Sequence, residues 1–166
     1  MHFKSWVSDM GRYVLLLFFL LCGFARAEDS VTSCNGLYRA QIVRPGVLRI
    51  EGGEGRREIK IGHNILGGDF DSSESYLVLY GMPNKIDPVY PQVNYLTVYR
   101  VRGMAKMVAR RTYGGGVYSA KFSADGNLIS IDDQYGVDVF DLNKKKFESH
   151  EIGYVPNFPL HECLKN

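Results

Sequence analysis

The chain has 166 residues, 20 of them Lys or Arg and 18 Asp or Glu, for a formal net charge of +2. Its first 27 residues read as a removable leader, and without Lys4, Arg12, Arg26 and Asp9 the other 139 hold 17 bases and 17 acids. A neutral chain with no basic run beyond Lys144-Lys145-Lys146 argues against nucleic acid as a partner, and its length fits one domain with a modest core.

Lys4 and Arg12 precede an apolar run from Val14 to Ala25, and Ala25-Arg26-Ala27 is a small-x-small cleavage pattern. The pattern predicts a signal peptide over 1–27, cleaved after Ala27, and places the remaining domain, 28–166, in the periplasm or outside the cell. A retained anchor is the alternative, but the run falls short of the about 20 apolar residues a bilayer requires. A lipid on Cys22 is disfavoured by Leu21 before it, where a lipobox has a small residue. After cleavage Cys34 and Cys163 remain, near the two ends. In an oxidising compartment they are expected to pair, closing a loop worth about 4 to 5 kcal/mol in the chain-entropy description. Two unrelated free thiols are the alternative. With no CxxC nearby, these cysteines do not suggest a metal site, and no cofactor is expected.

Strand signals follow in series. Tyr38 to Val43 ends at Arg44-Pro45-Gly46, Val47 to Ile50 ends at Gly52-Gly53-Glu54-Gly55, and Arg57 to Ile61 alternates and ends at Gly62. Short strands separated by turn residues at this spacing predict an all-β domain. A repeat comes next. Phe70 falls on Phe122, Ser73-Glu74 on Asp125-Gly126 and Tyr76 to Leu79 on Leu128 to Ile131, all offset by 52. Leu96 to Val101 then falls on Val137 to Leu142, offset by 41, so the earlier copy carries about 11 extra residues within 82–94. Each copy reads as four strands joined by turns.

FSADGNLISIDDQYGVDVFDLNKKK resembles one blade of a β-propeller of the WD40 or TolB-like kind. The likeness is good over 118–150, fair over 66–110 where Asp-Gly becomes Glu74-Ser75, and weak over 36–62, which reads as lacking the motif. It implies blade-like units at about 36–62, 66–110 and 113–150, with blade strands covered on both sides by neighbouring blades. Closed propellers need at least four blades, and this chain supplies about three. The expected architecture is therefore an incomplete propeller-like stack of about three small antiparallel sheets, with the disulfide tying first to last. A β-sandwich of the same strands is the alternative, and open sheet edges leave a homodimer open.

Reactive constellations are absent from the motifs. There is no HExxH, no GxSxG and no phosphate loop. His63, His150 and His161 have no ligand spacing, and His63 and His150 read as turn or surface residues. Gly114-Gly115-Gly116 reads as an inter-blade connection. Asp132-Asp133 and Asp69/Asp71 read as turn formers, because adjacent strand residues point to opposite faces. What remains suits recognition. Loop tyrosines Tyr90, Tyr113 and Tyr135, with Lys85, Asp87, Asp132 and Asp133, form the expected partner surface, Tyr being a frequent anchor of protein interfaces. Pro83, Pro88 and Pro91 stiffen the long loop and lower the entropy lost on binding. In organisation the chain is similar to exported immunity proteins that protect bacteria from type VI secretion toxins. That resemblance implies a non-enzymatic protein that plugs the cleft of a periplasmic effector. A TolB-like envelope scaffold is the second reading, and a small carbohydrate-acting hydrolase or lyase using Asp132 and Asp133 a third.

Overall fold

The computed structural model describes residues 30–89 and 91–163. The expected leader and Tyr90 lie outside the described residues. Twelve strands form three four-stranded antiparallel sheets. Sheet one holds β1 (Ser30–Thr32), β2 (Arg39–Arg44), β3 (Val47–Gly52) and β4 (Gly55–Lys60). Sheet two holds β5 (Gly67–Phe70), β6 (Tyr76–Gly81), β7 (Asn94–Arg100) and β8 (Lys106–Tyr113). Sheet three holds β9 (Val117–Phe122), β10 (Leu128–Asp133), β11 (Gly136–Asp141) and β12 (Lys146–Glu151). Each is a simple meander in sequence order. The first strands are neighbours in space, with β5 packed against both β1 and β9. This is the propeller-like stack the repeat predicts, and the sandwich does not form.

The same turn opens every sheet. In sheet three, Ser123 N–H donates to Leu128 O, Gly126 N–H to Ser123 O, and Leu128 N–H to Ser123 Oγ. In sheet one, Ser33 N–H donates to Tyr38 O, Gly36 N–H to Ser33 O, and Tyr38 N–H to Ser33 Oγ. In sheet two Asp71 takes the serine's place, with its carboxylate accepting from Tyr76 N–H. The turn's fourth residue has positive φ in all three: 73° at Gly36, 56° at Glu74 and 73° at Gly126. The first unit therefore does carry the motif, as Ser33-Cys34-Asn35-Gly36. Among the described residues its first strand, β1, spans Ser30–Thr32, and the turn runs from Ser33 to Tyr38, across residue 36.

Two cores separate the three sheets. Leu48, Ile50, Phe70, Leu77, Leu79 and Tyr99 fill the space between sheets one and two. Val78, Leu96, Val98, Phe122, Ile129, Ile131 and Phe140 fill the space between sheets two and three. Strand alternation sends Leu77 and Leu79 to one core and Val78 to the other, so sheet two is apolar on both faces. The outer sheets are not, which corrects the expectation that every blade is covered on both sides by other blades. The free face of sheet one carries Arg49, Glu51, Arg56 and Glu58, with Arg49 opposite Glu58 and Glu51 opposite Arg56. Their ion pairs are 2.8 Å each. The free face of sheet three mixes Lys121, Ser130, Asp132, Asp141, Lys146 and Glu148 with Leu128, Val137 and Val139, and lies beneath a returning tail, 152–163. The charged face of sheet one and the tail over sheet three end the stack as terminal caps end a repeat protein.

The tail ties the ends together. Ala124 N–H donates to Pro159 O at 2.8 Å, and His161 N–H donates to Phe122 O at 2.8 Å. The chain then reaches Cys163, which is disulfide-bonded to Cys34, with Cα atoms 5.1 Å apart. First and last sheets are thus joined covalently, as expected.

Candidate functional site: the loop end

Antiparallel register sends the connections 61–66, 82–93, 114–116, 134–135 and the chain after Glu151 to one end of the stack. They are held by side-chain to backbone bonds. Asn64 Oδ1 accepts from Met82 N–H at 2.7 Å, and Asn84 Nδ2 donates to Ile61 O at 3.0 Å. His63 bridges Pro83 in a short antiparallel contact. Asn94 Oδ1 accepts from Val117 N–H at 2.8 Å. Gly115 lies so close to the Gln134 side chain that any Cβ there would displace it. The base of the long loop is therefore fixed, and its tip stands out.

Apolar side chains are exposed on this end. Ile152 is 79% exposed, Val89 71%, Tyr135 68%, Ile86 54% and Leu66 52%, all in this set of connections. Lys85 and Asp87 are exposed in the same loop as Ile86 and Val89. Asp87 Oδ1 accepts from Val89 N–H at 2.9 Å and Asp133 Oδ1 from Tyr135 N–H at 2.6 Å. Both carboxylates thus shape the turns that present the neighbouring apolar residue.

Below Tyr135 a cleft of about 220 Å³ opens between sheets two and three, lined by Arg111, Tyr113, Asp133, Tyr135, Asp138 and His150 among others. Its floor is a buried polar cluster. Asp138 Oδ2 accepts from Tyr113 Oη at 2.8 Å and pairs with Arg111 Nε at 3.1 Å. Arg111 lies over the Phe147 ring at 4.8 Å and donates to Ser149 Oγ at 3.2 Å. Burial, then the bond to Asp138, pushes the Tyr113 phenol far above its ordinary range. Tyr113 was expected in a loop. It is instead the last residue of β8 and buried, because its ring closes the core between sheets two and three.

Of the expected surface, the structure brings Tyr113, Asp133 and Tyr135 together in the cleft and sets Lys85 and Asp87 on the loop of the same end. Asp132 turns to the opposite face of β10, into a cleft of about 150 Å³ under the tail. The two adjacent aspartates do not converge. Arg111, Asp138 and Ser149 were missed by sequence reasoning. A charged residue inside the apolar alternation of β11, where the other copy has Thr97, was the available signal.

His63 also differs from expectation. It is 1% exposed, because the 61–66 connection folds inward against β7. Asn64 O is within 2.6 Å of Nδ1 and Thr97 Oγ1 within 2.9 Å of Nε2. A carbonyl only accepts, so Nδ1 carries the proton and Nε2 accepts from the threonine. Burial holds the imidazole below its ordinary range, in the neutral form. Among the described residues, no three His, Cys, Asp or Glu side chains are grouped to hold a metal ion.

No protein-family description matches the chain, and no curated protein matches it. Among solved structures it is similar to a candidate 6-phosphogluconolactonase from Bacteroides fragilis, at 8% identity and a TM-score of 0.48. The likeness covers 74% of this chain and 38% of that one. It carries no argument about activity.

Proposed function

We propose that the chain is an exported protein-recognition domain that acts as an immunity protein, blocking a secreted antibacterial effector by filling its active cleft. The observation that carries this reading is the loop end: Ile86, Val89 and Tyr135 stand exposed on connections fixed at their bases. Large exposed apolar groups gathered at one end of a domain are a mark of a protein interface. A tip whose base is already ordered loses little entropy on docking. The loop 82–93 enters the partner's cleft, Val89 and Tyr135 supply the apolar anchors, and Lys85 and Asp87 set orientation. Export fits the disulfide.

The test is a pull-down with the processed chain against secreted proteins of the same strain, repeated with Val89→Asp and Tyr135→Ala. The wild type retains an effector and protects a deletion strain from its siblings; both variants fold and lose retention. If no effector is retained, and deletion leaves the strain no more sensitive, the reading is wrong.

A further inference from the structure

Cys34 occupies the second position of the turn that opens sheet one, where sheet three has Ala124, and both it and Cys163 are exposed. His161 lies beside it, with Nε2 3.6 Å from Cys34 Sγ. The other ring nitrogen, Nδ1, is buried without a hydrogen-bond partner and faces Asp69 Oδ2 at 3.9 Å. Asp69, in β5, is fixed from the far side, since Oδ2 accepts from Phe122 N–H at 3.2 Å. The His161 main chain is pinned to Phe122 O. Carboxylate, imidazole and sulfur therefore lie in sequence, supplied by sheet two, the tail and sheet one. A carboxylate that orients an imidazole against a sulfur is the arrangement that stabilises a thiolate.

We propose that Cys34, Cys163, His161 and Asp69 form a thiol–disulfide exchange site. A thiolate from outside bonds to Cys163 Sγ as the Cys34–Cys163 bond breaks, and the electron pair leaves on Cys34. His161 Nε2–H holds the departing thiolate, and Asp69 is the positioning residue that orients the ring. When the incoming molecule is a dithiol, its second thiolate displaces Cys163, so the dithiol is oxidised to a disulfide and this chain takes up the two electrons. Exchange favours the better leaving sulfur, so the site is asymmetric: Cys34 leaves and Cys163 receives the mixed disulfide. Opening frees 152–163 from sheet one and leaves the tail held by its backbone bonds to Phe122 and Ala124. The site is independent of the loop end and of the recognition reading.

The test treats the folded, oxidised chain with reduced glutathione, traps free thiols with iodoacetamide after the first turnover, and maps both cysteines by peptide mass. Glutathione is expected on Cys163 and the alkyl group on Cys34, by about tenfold over the reverse. His161→Ala is expected to erase the bias, added imidazole to restore part of it, and Asp69→Asn to reduce it. A structural role for either residue would change stability but not which sulfur is alkylated. Equal labelling of both cysteines in the wild type overturns the proposal, even if a variant fails to fold. An unchanged bias in a folded His161→Ala also overturns it. Repeating the first step with a protein dithiol of the thioredoxin type distinguishes the two sources of thiol: faster opening by the dithiol assigns a protein donor, and equal rates per thiol assign the small-molecule pool.

Discussion

Thr97 and Asp138 occupy the same place in the two repeated units, on the third strand of sheets two and three, and both are buried. Thr97 faces the core shared with sheet one and bonds to His63, a neutral partner from the connection 61–66. Asp138 faces the core shared with sheet two and holds Arg111 and Tyr113, both from β8. One interface is joined by an uncharged pair, the other by an ion pair with two aromatic rings around it, the Tyr113 phenol and Phe147. The stack admits one buried polar group per interface at this position, and what it requires is a complete set of partners, not a given charge.

The largest test removes the charged version. Asp138→Ala strands the half-buried Arg111 and the Tyr113 hydroxyl, and is expected to cost about 3 kcal/mol in urea unfolding. A loss near zero would mean that the apolar contacts alone hold sheets two and three. Thr97→Val removes the hydroxyl that His63 Nε2 accepts from and is expected to cost about 1 to 2 kcal/mol. The pair therefore ranks the two interfaces. Their pH responses sharpen the contrast. His63 sits below its ordinary value of 6.5 because it is buried, so below that pH the unfolded chain binds a proton that the folded chain refuses. Stability is expected to fall as pH drops through 6.5 toward the depressed value, and His63→Gln to flatten that slope. A smaller effect is expected in the turns. Glu74 adopts the positive φ that Gly126 adopts at the equivalent place, with Oε1 buried and unpartnered. Glu74→Gly is expected to raise stability by about 0.5 to 1 kcal/mol, and Gly126→Ala to lower it by about 1 kcal/mol. On the free face of sheet one, Arg56→Ala is expected to leave the unfolding midpoint where it is, since exposed pairs contribute little.

Much of the fold was legible because strand alternation and turn chemistry are local. Phe70 with Phe122, and Leu77 to Leu79 with Ile129 to Ile131, carry the two-core pattern in the sequence itself. The Cys34–Cys163 pairing followed from their placement near the two ends and from the inferred compartment. The first unit was only partly legible: its Phe is absent and its turn reads Ser-Cys-Asn-Gly, so the bonds made by Ser33 were needed to see it. Burial of His63 and Tyr113 was not legible, since each depends on how one sheet lies on the next, which no local pattern encodes. The same holds for His161 and Asp69, 92 residues apart in sequence and brought together only by the returning tail.

The bridge between Cys34 and Cys163 encloses every strand from β2 to β12. A pull applied from either side of the bridge would peel β1 and then meet a covalent bond. The load would bypass both cores entirely. As long as that bond is closed the domain is mechanically a knot on a string: it can be tugged from either side without the sheets shearing apart. Once it opens, the same tug is transmitted to the strand ladders.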